Sequence, residues 1–222
     1  MGEDAGYMSV DVEEILNSIL EQMGDIMQMK SAEIPNISLY MDQVTTFMND
    51  KLEYSRRDHE SKEPIFTKTM INNYAKNNLI PPPEKKKYSK EHMMILILIY
   101  YFKNIMSIGD IQVLTAPLTA QYFSEEAAPS MQEIYDQVFA AGEQRMDGLK
   151  EDLYAKYETS LTLFEDVPKE DREYLQLFSY VCLLSYDIFI KKLLIERIVD
   201  EMKEQTQPEA KGKKEKNKSG KE

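Results

Sequence analysis

Ten consecutive residues without a charged or amide side chain, Met93 to Phe102 (MMILILIYYF), limit what this chain can fold into more than any other stretch. A helix that is apolar on every side is a buried helix. Ten residues fall far short of the roughly 20 that a membrane span needs. Ser89 is placed to cap this helix, with Glu91 in its first turn against the positive end of the dipole. The segment is therefore expected at the centre of a core, with the rest of the chain wrapped around it.

The composition supports a helical reading. Of 222 residues only 8 are glycine, and the stretches between turn signals are long. The single cysteine, Cys182, excludes an intrachain disulfide and a Cys-rich metal site. It lies inside an apolar stripe and is expected to be a small buried hydrophobe. The two histidines are far apart: His59 reads as a solvated loop residue and His92 as a structural or solvated one. Neither belongs to a metal-ligand spacing. There is no phosphate-binding glycine loop, no nucleophile elbow and no Cys-His pair, so the chain reads as non-enzymatic and implies no cofactor. The acidic opening MGEDAGYMSVDVEE lacks the apolar core of a secretory signal. The expected location is the cytoplasm, with no membrane partner.

Helix signals divide the chain into five parts. Residues 1–33 hold an amphipathic helix begun by Asp11 and Glu14. Residues 34–118 hold a helix capped at Ser38, a polar connector, and a helix from Thr67 or Thr69 closed by Asn77 and Asn78. The Pro81–Pro83 stop follows, then the central helix and a helix from Ser107 ended by Pro117. Residues 119–129 read as a linker. Residues 130–205 read as a helical dimerisation or regulatory domain: a run from Ser130 through Leu153, then a final helix after Pro168. That helix places Leu177, Val181, Leu184, Ile188, Lys191, Ile195, Ile198 and Met202 at 4-3 spacing. Such a stripe suits either an intrachain core or pairing with a second subunit. Residues 206–222 form a lysine-rich tail expected to be disordered.

Charge is uneven. The whole chain carries −12. Between Thr67 and Lys103, seven lysines against Glu84 and Glu91 leave +5, whereas Pro129 to Gln207 carries 17 acidic and 9 basic residues, or −8. A basic patch on an acidic body is what a nucleic-acid contact on a regulatory body would look like. On a helix starting near Thr67, Met70, Ile71 and Tyr74 face inward, which leaves Lys68, Thr69, Asn72, Asn73 and Lys76 outward. Asn suits paired contact with adenine, while Thr and Lys suit phosphate or guanine. Lys85, Lys86, Lys87 and Tyr88 follow the stiff triple proline and could lie on a phosphate backbone.

The stretch TKTMINNYAKNNLIPPPEKKKYSKEHMMILILIYYFKNIMSIGDIQVL resembles the headpiece of MerR-type regulators. Thr69 to Tyr74 matches the recognition helix, Leu79 to Pro82 the stop, Tyr88-Ser89 the end of the wing, and Ser107 to Ile111 the start of the next helix. Ile37 to Leu118 is similar to the bacterial domain-of-unknown-function family numbered 1836, whose biochemical role is unassigned. The chain departs from the MerR pattern in three places. Asn72-Asn73 stands where that pattern has Arg-Tyr, the wing is shorter and lacks glycine, and the link between the first two helices is longer. The resemblance implies an all-α fold with a MerR-like winged helix-turn-helix of minimal wing, followed by a C-terminal bundle of long helices. It implies a DNA-binding transcriptional regulator acting as a homodimer on double-stranded DNA. The alternative is a non-enzymatic protein-interaction module that keeps the winged-helix fold, and a third reading is a helical binder of a small molecule.

Overall fold

The structure, a computed structural model, describes residues 10–27, 29–55, 60–124 and 126–206, the side chains of residues 22–27 excepted. His59 and the tail beyond Thr206 lie outside the described residues. The chain is mainly helical: α1 (Val12–Met27), α2 (Met41–Lys51), α3 (Lys68–Lys76), α4 (Lys90–Phe102), α5 (Ile108–Gln121), α6 (Met131–Glu143), α7 (Met146–Leu161) and α8 (Lys169–Thr206). Two strands of two residues each, β1 (Leu39–Tyr40) and β2 (Lys87–Tyr88), pair antiparallel with Leu39 opposite Tyr88. Among the described residues no helix is long and apolar enough to cross a membrane.

The α4 helix is the centre of the core. His92 through Tyr100 are all buried, and the helix meets α2, α5, α6 and β2. Around it close Val44 and Met48 of α2, Leu52 just after it, Ile71 of α3, and Leu79 and Ile80, all at or near zero exposure. Each such side chain contributes about 1.5–3 kcal/mol by leaving water. The same cluster runs from Met29 to Phe139, so α6 and the segment before β1 belong to it. Tyr135 on α6 stacks on Phe139 with ring centres 4.3 Å apart, and its hydroxyl donates to the Met29 carbonyl at 2.9 Å. The elements on either side of the expected linker thus share one core.

Several local expectations are corrected. Helix α2 is capped at Tyr40 and not at Ser38, because Leu39 and Tyr40 are held in the pairing with β2. The Tyr40 N–H donates to Gln43 Oε1 at 2.9 Å. Pro117 does not stop α5, which runs on to Gln121, three residues into the stretch expected as linker. A proline removes one helical donor. The later N–H groups still pair, as Tyr122 to Leu118 at 2.9 Å shows. The run begun at Ser130 divides into α6 and α7 at Gln144 and Arg145. The break falls just after Gly142, and glycine is a poor helix former. In α8 the 4-3 stripe is not one buried face: Val181, Ile188 and Ile198 are exposed, and Tyr180 and Val199 are the buried positions. Cys182 is exposed.

Candidate nucleic-acid interface

The nine residues of α3 divide cleanly by face. Thr67 caps the helix, its Oγ1 accepting the Met70 N–H at 3.1 Å. Ile71 and Tyr74 are buried and Met70 half-buried, on the side that meets α2. Lys68, Thr69, Asn72, Asn73 and Lys76 are all exposed on the other side. The helix ends on a left-handed residue, Asn78 at φ 55°, with the Leu79 N–H donating to the Tyr74 carbonyl at 2.9 Å and Asn78 to Ala75 at 3.2 Å. This is the arrangement that satisfies the last carbonyls of a helix, and Asn tolerates it better than most residues.

Asn49, in the last turn of α2, sets where α3 begins. Its Oδ1 accepts the Phe66 N–H at 3.0 Å, and its Nδ2 donates to the Phe66 carbonyl at 3.0 Å and to the Thr45 carbonyl at 2.7 Å. One amide therefore pairs with both polar groups of the residue before the Thr67 cap, while the Phe66 ring is fully buried. Beside it lies an open groove of about 480 Å³ lined by Thr45, Thr46, Lys62, Thr67 and Lys68 among others.

The lysine run forms a tight turn. Lys87 donates its N–H to the Glu84 carbonyl at 2.8 Å, with Lys85 at φ 47° and Lys86 at φ 66° between them. Two consecutive left-handed residues make the type I′ geometry that suits the twist of a strand pair, and Asn-Gly is the usual occupant. Here two exposed lysines occupy it. The Lys87 ammonium lies 5.0 Å from the centre of the Tyr40 ring. Tyr88 is withdrawn from the candidate set, since only 2% of its surface is exposed. Alternation along β2 turns it inward, where its ring meets His92.

His92 braces the turn from beneath. Its Nδ1 accepts the Ser89 N–H at 3.0 Å, and its Nε2 donates to the Pro81 carbonyl at 3.2 Å. That pair of contacts fits the neutral ring with the proton on Nε2. Tyr88 and Phe123 meet the ring edge-to-face at 5.3 and 4.7 Å. Burial holds its pKa below the usual imidazole value.

Two contacts tie α3 to the turn. Lys68 forms an ion pair with Asp42, and Asp42 lies two residues after Tyr40, whose ring carries Lys87 and whose backbone pairs with it. Sequence reasoning missed Tyr40, Asp42 and Asn49. The last had a signal, since Asn is poorly placed inside a helix unless its side chain has a backbone partner; the other two had none.

Away from this region, a cavity of about 260 Å³ between α1, α7 and α8 is lined by Tyr157, Leu161 and Leu177 among others.

Residues 29–138 match the model of a family described as a domain of unknown function (DUF1836). Its limits coincide with those of the core, Met29 to Phe139. No curated protein and no solved structure matches the chain.

Proposed function

We propose that the 29–138 domain is the DNA-binding headpiece of a transcriptional regulator of MerR-like type. Helix α3 enters the major groove, and the Glu84–Lys87 turn acts as a minimal wing on the phosphate backbone. The observation that carries this reading is the division of α3. Its apolar residues are all turned to the core, while the five outward ones are Lys68, Thr69, Asn72, Asn73 and Lys76, with two exposed lysines on the linked turn. Asn72 and Asn73 have the donor–acceptor pair that reads adenine, and the lysines neutralise phosphates. A molecule carrying −12 overall would be repelled by DNA elsewhere, so contact is confined to this basic surface.

The test is a gel-shift titration of the full chain against duplex DNA at low and moderate salt. Affinity is expected to fall steeply with salt, since each neutralised phosphate contributes about 0.9 to the logarithmic slope. The double variant Lys85→Ala, Lys86→Ala is expected to reduce that slope by about 2 while leaving the helical content unchanged. Lys87 is left in place because it packs on Tyr40. A folded protein that shifts no duplex at low salt would overturn the proposal and favour the module that binds protein through the same polar face.

A further inference from the structure

The 38 residues of α8 extend about 57 Å, and the described residues of the chain cover only their two ends. The N-terminal half lies on α7: Tyr180 is buried with its hydroxyl 3.3 Å from the Leu153 carbonyl, and Lys156 pairs with Asp187 at 3.0 Å. The C-terminal end lies on α5, where Val199 is buried and Lys203 pairs with Asp110 at 2.7 Å. Every residue from Ile188 to Leu194 is exposed. Seven residues make two turns, so the helix is bare around its whole circumference there. Five of the seven are Ile188, Phe189, Ile190, Leu193 and Leu194. The bare surface continues toward the N-terminus through Tyr186, Val181, Phe178 and Tyr174, each more than half exposed. A helix with so wide an apolar face is stable only when that face is covered.

We infer that this stretch of α8 is covered by the same stretch of a second copy, forming a homodimer whose interface is separate from the basic surface of the headpiece. Area and charge both select this occupant. Ten large apolar side chains between Tyr174 and Ile198 stand exposed. Half-exposed residues of that size together present on the order of 1000 Å², and each partner of a stable interface contributes about 800 Å². Between Phe178 and Leu194 the only charged residues are Asp187, Lys191 and Lys192. Lys191 is paired with Asp187 at 3.5 Å and Lys192 with Glu196 at 3.9 Å along the helix itself. The stretch from Phe178 to Leu194 therefore offers no unmatched charge for an anionic lipid, a nucleic acid or an acidic peptide to read, and Arg197 stands beyond it. A patch that is apolar and internally neutral is complementary to itself, as a two-fold contact requires. The inference holds whether or not the headpiece binds DNA.

Sedimentation of the full chain across the micromolar range tests it, together with the reaction rate of Cys182 with an aromatic disulfide. Cys182 is the single cysteine and lies in the bare surface between Val181 and Tyr186, so it reports coverage without interference. The expected species has twice the 25.9 kDa of one chain. As it forms, the Cys182 rate falls by about tenfold or more, because thiol exchange depends on access. The variant Phe189→Asp, Leu194→Asp changes only exposed side chains. It is expected to be monomeric with unchanged circular dichroism and a fast thiol reaction. Should that variant fail to fold, the concentration dependence of the wild-type rate decides alone. A wild-type chain that stays monomeric at high concentration overturns the inference, whether it remains free or adsorbs to phosphatidylglycerol vesicles. A dimer in which Cys182 reacts as fast as in the dilute chain overturns it as well.

Discussion

Single side chains do much of the positioning. Asn49 uses one amide to hold Phe66 and so the start of α3, and His92 uses one ring to join the Pro81 carbonyl to the Ser89 cap. Burial lowers the His92 pKa from the usual 6.5, while Glu91 and Glu84 act in the opposite direction and are outweighed. In the unfolded chain the ring takes up its proton near pH 6.5; in the folded protein it does so only at lower pH. The stability due to the neutral ring is therefore complete above about pH 6.5 and is lost as pH falls toward the lowered folded value. Calorimetric scans from about pH 7 to about pH 5 should show the wild type losing melting temperature faster than His92→Gln, in which this proton uptake is gone. Equal slopes for the two proteins would refute the assignment. The sequence left His92 open between structural and solvated, because a polar residue in the first turn of an apolar helix can face either way.

At the scale of elements, the type I′ turn is a place where local chemistry and the observed backbone disagree. Lys85 and Lys86 both carry a Cβ in the left-handed region, where glycine or asparagine would sit without strain. Lys86→Gly is accordingly expected to raise the unfolding free energy by about 1 kcal/mol, read from the midpoint of a urea titration. The same change should weaken DNA binding, which would mark the lysines as kept for contact at a cost in stability. A loss of stability on that substitution would contradict the strain argument. Helix α3 was legible in the sequence, since a Thr cap, three apolar residues on one side and an Asn-Asn end all act within two turns. The end of α5 was not, because whether a proline stops a helix depends on what packs on the turn beyond it.

For the molecule as a whole, the core is continuous from Met29 to Phe139, and α4, buried from His92 to Tyr100, lies at its centre. Ile97 is fully buried in that helix. Ile97→Ala should lower stability by about 2–5 kcal/mol, since the surrounding helices cannot all close on the space left. Denaturant unfolding followed by tyrosine fluorescence would check it, and a change under about 1 kcal/mol, the scale of an ordinary surface site, would place α4 outside the core. The α8 helix stands apart from this core in its middle stretch, where no described residue covers Ile188 to Leu194.

Sequence alone determined what depends on neighbours within a turn or two: a central apolar helix, a capped α3 with a polar outer face, and an acidic body bearing a basic segment. Tertiary structure decided everything that depends on residues far apart. It paired Leu39 with Tyr88, so that a residue read as a phosphate contact became a core residue, and it placed α6 in the same core as α4. It also decided which side of α8 is buried. A helix apolar on several faces carries no internal preference among them, and only the position of α7 at one end and α5 at the other could choose.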